Sequence, residues 1–315
     1  MKAKLLVAIP LAVLVAFITL YGTAYIRTKR LIDTQLEQLV AGGLYEKAEY
    51  AQLWLSPLGN VAITALRLQQ PDMEIVINAV RVSDVDLLHD VPWHLRVAVD
   101  GIHFPKGLPD RGGTANPLLE TLLTDLVHDD TLNLHLEYGY RYDPEQSEQI
   151  VSLAAVALPG YFALEGDTEI RNVPLGTLAS LKAAEPATTA TLQAELLEKA
   201  ALPHVGLRLS DSGLIQVLIG VMAESNAMQP NAMREQFKSQ LQNYYLVLPG
   251  NLQNFGQQLG QQLATFIDGH RTLTVTASPA FDGEIARLQP ELMATILTGS
   301  FDKGIELLNL EISVE

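Results

Sequence analysis

Apolar and polar residues alternate with a period of two from about Gly43 to Ile170, which is the pattern of half-buried β-strands. The clearest stretch runs from Leu132 to Tyr142, where the alternation is unbroken. We expect a strand with one apolar side and one side, which includes His135, in water. The apolar side of this strand consists of Leu132, Leu134, Leu136, Tyr138, Tyr140 and Tyr142.

The alternation changes phase within three other predicted strands. The changes follow Ala65, lie between Ile77 and Val80, and cross Gly101. A phase change inside a strand predicts a β-bulge and a strong local twist. Short turns rich in Pro, Asp and Gly separate these strands, which is typical of an antiparallel meander with one side in water.

Helical spacing of apolar residues and capping residues predict helices between and after the strands. The first predicted helix covers residues 32–51, and Gly42-Gly43 weakens or ends it. Asp or Ser within residues 210–213 is expected to cap one later helix, and Asn251 another. The later helices are predicted at 117–127, 182–201, 214–223, 230–245 and 251–268, with further strands at 207–209, 273–277 and 308–314.

These elements predict an α+β fold. We expect an N-terminal transmembrane helix, then a twisted antiparallel β-sheet that forms a groove or a sandwich, with a helix-rich insertion in the second half of the chain. The predicted division is an anchor with basic flanks at residues 1–30, a β-rich domain at 31–180, and an α+β segment at 181–315 whose last strands rejoin the sheet.

Leu5–Ile26 is a run of 22 residues without a charge. A helix of that length is about 33 Å long, enough for the hydrocarbon core of a bilayer. We expect an uncleaved membrane anchor, although a cleavable signal peptide or a buried core helix fits the same run. Residues that mark the expected anchor are Leu5, Leu14, Phe17, Tyr21, Tyr25 and Ile26.

The flanks of this run give a nearly balanced count of positive charges. Lys2 and Lys4 precede it, and Arg27, Lys29 and Arg30 follow it. We expect the N-terminus in the cytoplasm, because a short N-terminal tail with one span is a common arrangement for export. The expected location is therefore the inner membrane, with a single span and the body of the protein in the periplasm.

Composition narrows the function classes. The net charge of the chain is −15. The first thirty positions contain five basic residues and no acidic residue. The rest of the chain is therefore more acidic still, and it would repel the phosphate backbone of a nucleic acid. The absence of Cys excludes a disulfide framework, a cysteine-based zinc or iron–sulfur site and a thiol nucleophile.

Few residues offer catalytic chemistry. The segments with metal-ligand residue types are His128-Asp129-Asp130 with His135, and residues 84–90, which resemble part of a calcium loop. We interpret both as strand ends and solvated turns. Residues 210–213 lack the pattern of a nucleophile elbow, and Gly256 and Gly260 are spaced for close helix packing. We therefore expect no enzyme activity, no cofactor and no metal.

Residues Trp54–Leu87 resemble the start of AsmA-like envelope proteins, and the general layout resembles the YdgA-like group of inner-membrane-anchored bacterial proteins. The shared pattern is a membrane span, a short helix, a glycine-led amphipathic strand, and a unit of Pro, apolar strand and Val-x-Val. The matching residues are Pro71, Ile75, Ile77, Val80 and Val82, and residues 164–178 are similar. The resemblance implies a twisted periplasmic β-groove that shields acyl chains, without catalytic residues.

The combined prediction is a membrane-anchored envelope protein that binds or passes lipid, with the bilayer as one partner and a phospholipid as the other. The apolar side of the strand at residues 132–142 would line the groove. The same alternation also builds a closed sandwich core. The alternative function is a structural or scaffold subunit that binds other envelope proteins through its helical second half.

Overall fold

The computed structural model describes residues 25–43, 45–56, 59–71, 73–86, 89, 92–103, 133–177, 180 and 186–315. The expected anchor residues Leu5, Leu14, Phe17 and Tyr21 lie outside this part of the chain. So do Leu132, the predicted helix at 117–127 and the segment 128–130. Among the described residues, no helix is both long enough and apolar enough to cross a bilayer.

The described strands form one open antiparallel sheet of eleven strands. From β3 onward each strand pairs with the next one in the chain, as the predicted meander requires, and β1 and β2 both pair with β3. The strands are β1 (Lys47–Glu49), β2 (Gln52–Leu55), β3 (Val61–Gln70), β4 (Met73–Ser83), β5 (His94–His103), β6 (Leu134–Asp143), β7 (Gln149–Leu158), β8 (Phe162–Arg171), β9 (Ala201–Asp211), β10 (Thr272–Ala277) and β11 (Leu310–Val314).

The longer helices of the described residues precede the sheet or interrupt its last connections. They are α1 (residues 25–41), α2 (Pro186–Lys199), α3 (Leu214–Ser225), α4 (Pro230–Asn243), α5 (Gln253–Phe266), α6 (Ile285–Thr298) and α7 (Phe301–Leu308). Thus α2 joins β8 to β9, the helices α3–α5 join β9 to β10, and α6 and α7 join β10 to β11. The fold is α+β, and the helix-rich second half is an insertion between neighbouring strands.

The predicted phase changes are real irregularities, and they align across the sheet. Ala65 has φ of 50° and Gly101 has φ of 63°. The pairs on either side place Ala65 opposite Asn78 and Asn78 opposite Gly101. A register shift between Asp100 and Ile102 in the pairing of β5 with β6 is the predicted bulge. A side chain at Gly101 would overlap that of Asn78, so glycine is required there.

Several predicted boundaries are wrong. The first helix ends at residue 41, as the prediction at Gly42-Gly43 allowed, and Gly43 adopts φ of 71° with its N–H donating to Val40 O. The extension of this helix to residue 51 is wrong, because residues 47–49 form a strand. Asn251 does not cap α5, because its side-chain amide donates instead to Asp302 Oδ1 at 2.7 Å. Leu308 ends α7, and the last strand begins only at Leu310.

The helical insertion has its own small apolar core. Ile219 and Ala223 of α3 are buried against Met233 of α4. In α5, Gly256 and Gly260 are buried, and a methyl group at Gly260 would overlap the carbonyl oxygen of Leu241 in α4. The predicted close packing at these glycines is confirmed.

Candidate functional site: an apolar sheet face and an edge groove

One face of the sheet is apolar from β3 to β11. A row of directly opposed residues, one from each of these nine strands, crosses it without a polar member. We call this side the apolar face. The row is Ile63, Val80, Val99, Leu136, Val156, Leu164, Leu209, Leu273 and Val314.

The next row of the apolar face has a shallow centre. This row crosses four neighbouring strands, and each residue is directly opposite the next: Tyr138 of β6, Ala154 of β7, Gly166 of β8 and Leu207 of β9. The two small residues lie between two large ones that are strongly exposed, Tyr138 at 49% and Leu207 at 45%. The arrangement is a depression two strands wide with apolar walls. Contiguous exposed apolar patches, more than single exposed apolar side chains, mark binding surfaces.

The predicted groove residues of β6 differ in their burial along the strand. Leu134, Leu136 and Tyr140 are half-buried, while Tyr138 is exposed. Tyr142 is buried, and its ring meets the edge of Trp93 with centroids 6.0 Å apart. The strand therefore brings the described predicted residues to one face, and only its middle is open.

Burial has chemical consequences at the tyrosine end of β6. The Tyr140 hydroxyl donates to the Pro92 carbonyl at 2.8 Å, which satisfies a polar group beside apolar neighbours. Burial raises the pKa of both Tyr140 and Tyr142 above the ordinary value for tyrosine. Both phenols are therefore neutral near neutral pH, and they add apolar surface without charge.

Helix α5 covers the apolar face only near its far end. It packs against β10 and β11, and a 3-10 turn at Phe281–Gly283 packs against β9. On β11 the apolar residues are half-buried, whereas Glu311 and Ser313 on the other side are exposed. Helix α5 therefore lies on the apolar side there. Among the described helices α2–α7, no other makes an extensive contact with a strand.

The opposite face of the sheet has charged pairs across neighbouring strands, although Val151 and Leu153 of β7 are also exposed on it. Asp100 contacts His135 Nδ1 at 2.5 Å and Arg81 at 2.8 Å, and Arg96 pairs with Glu137. His135 thus lies on the polar side of β6, as predicted. These groups pair across strands and are partly open to water, so each contributes modestly to stability. In the described part of the chain no three His, Asp or Glu side chains converge as a metal site would require.

The segment at residues 84–90 is not a fully solvated turn, so that interpretation is wrong for Asp86. Asp86 is buried, and one carboxylate oxygen accepts the Trp93 N–H at 3.0 Å and contacts His89 Nδ1 at 2.5 Å. The His89 ring stacks on Trp93 with centroids 4.0 Å apart. The cluster holds Trp93 beside Tyr142 at the end of β6.

A second concave feature lies at the first edge of the sheet. A groove of about 970 Å³ separates α1 from β1–β3. At one end Asp33 accepts hydrogen bonds from Lys29 Nζ and from the Tyr50 hydroxyl, each at 2.7 Å. Lys29 Nζ also lies 3.2 Å from the Tyr50 hydroxyl oxygen.

These contacts shift the pKa values in the groove. The hydrogen bonds from Lys29 and Tyr50 hold the pKa of Asp33 below its usual value, and hydrogen bonding to Asp33 and Tyr50 raises the pKa of Lys29. Burial raises the pKa of Tyr50. The spacing of Lys29 and Asp33 by four residues is a signal for their pairing, but nothing in the sequence indicates that Tyr50 joins them from beyond the turn.

A family model described as "Uncharacterized protein" matches residues 155–315, slightly more than half of the chain. The match begins within β7 and includes the helical insertion and the last four strands. No curated protein matches the sequence.

Proposed function

This chain belongs to the family described as "Uncharacterized protein", and we propose that it is a non-enzymatic, membrane-anchored envelope protein that binds or passes lipid on its apolar face. In this proposal Leu5–Ile26 is a single span in the inner membrane, and the sheet lies in the periplasm. The resemblance of residues 54–87 to AsmA-like envelope proteins remains a prediction.

The observation that carries the proposal is the exposed depression on the apolar face, with Tyr138 and Leu207 as walls and Ala154 and Gly166 as floor. An acyl chain is a suitable occupant because it needs no directed hydrogen bond, and the rows through Leu136 and Tyr138 offer apolar contact. In the next row the hydroxyls of Ser152 and Thr168 are hydrogen-bonded to each other at 2.5 Å. Covering about eight methylene groups would contribute about 6 kcal/mol, at roughly 0.8 kcal/mol each.

The dimensions of the face support a lipid. From β3 to β9, before the two strands that α5 covers, a row is about 29 Å long at about 4.8 Å per strand. The acyl chains of one leaflet occupy roughly 15 Å, half of the hydrocarbon core. The face is therefore longer than one acyl chain, and a lipid can move along it from strand to strand without leaving apolar surface.

The connection to the predicted span supports access to the bilayer. The described part of helix α1 includes Tyr25, a residue of the predicted anchor, and the Tyr25 hydroxyl lies 3.5 Å from the Leu53 carbonyl oxygen of β2. The first edge of the sheet is therefore adjacent to the end of the span. In the proposal, lipid enters at this edge.

Site-specific photocrosslinking of the full chain in phospholipid nanodiscs tests the proposal. The photoreactive residue benzoylphenylalanine replaces Leu207 on the apolar face or, as the matched control, Val151 on the opposite face. The two side chains are both 45% exposed, so accessibility is equal. We expect phospholipid adducts by mass spectrometry at Leu207 at several times the yield at Val151. Equal yields at the two positions would contradict a lipid site on this face.

A structural or scaffold role is a second candidate, supported by apolar side chains exposed on the helical insertion. The most exposed are Leu297 at 81% and Val247 at 77%. The Asn251–Asp302 hydrogen bond joins the segment after α4 to α7, so these side chains belong to one end of the insertion. The apolar residues of α5 are instead half-buried, as Phe255, Leu259 and Leu263 are, or buried, as Phe266 is. The same photoreactive residue at Leu297 distinguishes the roles, because adducts to another protein there, with none to lipid at Leu207, would favour the scaffold.

A further inference from the structure

The groove between α1 and β1–β3 has an apolar wall and a polar end. Leu36 and Val40 of α1 and Ala48 and Ala62 of the strands are among the apolar residues that line it. The Lys29–Asp33–Tyr50 hydrogen bonds lie towards the N-terminal end of α1. Its volume of about 970 Å³ is in the range of sites that enclose part of a large ligand. The shape and lining suit an amphiphile.

The charges that line the groove favour a cationic group. Both lysines of the lining are already paired, Lys29 with Asp33 and Lys47 with Glu49, each at 2.7 Å. Glu37 and Glu46 also line the groove. In the part of the chain that the structure describes, these two carboxylates have no cationic partner. The groove therefore has a net negative charge and attracts an ammonium group.

Aromatic rings in the groove also suit an ammonium group. Tyr25, Tyr50 and Trp54 are part of the lining. The ammonium of Lys29 lies 5.6 Å from the centre of the Tyr50 ring and 3.2 Å from its hydroxyl oxygen, so a cation already sits at the hydroxyl end of this ring. Trp54 is exposed and keeps its ring free to accept a cation over its face.

We propose that this groove binds the headgroup of an aminophospholipid, with the lipid ammonium near Glu37 and Glu46 and the upper acyl chain along Leu36 and Val40. The source is the bilayer, because Tyr25 both lines the groove and belongs to the predicted span. The choice of the bilayer as source rests on the proposed membrane anchor. The groove is distinct from the apolar face, since it adds selection of the headgroup to the binding of acyl chains.

Native mass spectrometry of the full chain, released from detergent micelles, tests the proposal. The probes are phosphatidylethanolamine, which has an ammonium group, and phosphatidylglycerol, which lacks one. We expect the wild-type chain to bind phosphatidylethanolamine more tightly. In Glu37→Gln/Glu46→Gln that affinity falls about tenfold, since one charge-assisted contact contributes about this factor. The affinity for phosphatidylglycerol stays the same or rises.

The matched control is Glu224→Gln/Glu291→Gln, which removes two exposed carboxylates from the helical insertion and so makes the same change in net charge. It should keep the preference for phosphatidylethanolamine. Equal affinity of the wild-type chain for both lipids, or an equal loss in both double variants, would overturn the proposal. Crosslinking at Leu207 separates this result from the proposed function. Lipid adducts at Leu207 without a preference for phosphatidylethanolamine would refute only the headgroup site in the groove. A preference for phosphatidylethanolamine without lipid adducts at Leu207 would refute only the lipid site on the apolar face.

Discussion

Asp211 joins the end of β9 and the start of α3 to a segment 59 residues later in the sequence. Its Oδ1 accepts the Ile215 N–H in the first turn of α3 at 2.9 Å and the Gly213 N–H at 3.3 Å. Its Oδ2 accepts the His270 N–H, between α5 and β10, at 2.7 Å. The carboxylate is buried. One side chain therefore fixes the position of the helical insertion relative to the end of β9.

Asp211→Ala is expected to lower the free energy of unfolding by about 3 kcal/mol. The substitution removes a helix cap, typically worth about 1 kcal/mol, and leaves the His270 N–H without its partner, which costs about 1–3 kcal/mol. Chemical denaturation followed by circular dichroism measures the change. The control is Ser212→Ala, because Ser212 is exposed, and it should change stability by about 0.5 kcal/mol or less. An equal loss of unfolding free energy in the two variants would contradict the role of Asp211 in fixing the helical insertion.

The sequence predicts only half of what Asp211 does. The segment 210–213 before an apolar helical run indicates a cap, and both Asp and Ser are good capping residues. The choice of Asp211 depends on burial at the end of β9. The bond to His270 depends on the return of the chain after three helices, 59 residues later. Long-range pairing of that kind leaves no local pattern.

Close contact between α4 and α5 depends on a single missing side chain. Gly260 is buried, and its α-carbon lies against the backbone of α4 at Leu241 and Gln242. Gly220 in α3 has the opposite environment, because no atom lies within 4 Å of the position that a methyl group would take. Two glycines in helices of the same insertion should therefore respond in opposite ways to the same substitution.

Gly260→Ala is expected to destabilise the protein by about 1–3 kcal/mol, because the new methyl group forces α4 and α5 apart. Gly220→Ala is expected to stabilise it by up to about 1 kcal/mol, since alanine has the higher helix propensity. Thermal unfolding of both variants and the wild type measures whether each substitution raises or lowers the melting temperature. A gain in melting temperature for Gly260→Ala would show that the helices are not held by this contact.

Elements with strong local patterns were predictable, and their alignment was not. Alternation at residues 132–142 predicts one apolar side for β6, and the phase changes at Ala65 and Gly101 predict bulges. That these irregularities meet Asn78 in one line depends on strand register, which the sequence of one strand does not contain. For the same reason the sequence indicates a single apolar strand, while the structure extends the apolar side across nine strands.

The whole molecule is organised by one sheet that continues through the predicted domain boundary at residues 180 and 181. β8 pairs with β9 along most of both strands, from Phe162 opposite Asp211 to Glu169 opposite His204. Separating the halves there would leave two long unpaired strand edges with apolar residues beside them. The helical core around Ile219 lies beyond β9, so it stabilises the sheet only through that strand and its neighbours.

We therefore expect β8 and β9 to unfold together. Hydrogen exchange of the full chain at increasing denaturant, followed by mass spectrometry of peptides, measures the unfolding of each strand. Peptides from β8 and β9 should lose protection at the same denaturant concentration, because each strand supplies half of the hydrogen bonds of the other. Helix α1 at the sheet edge serves as the internal comparison and should lose protection earlier. Loss of protection in β8 at a clearly lower concentration than in β9 would instead establish two domains that meet at residue 180, and the lipid-binding face would then be divided between them.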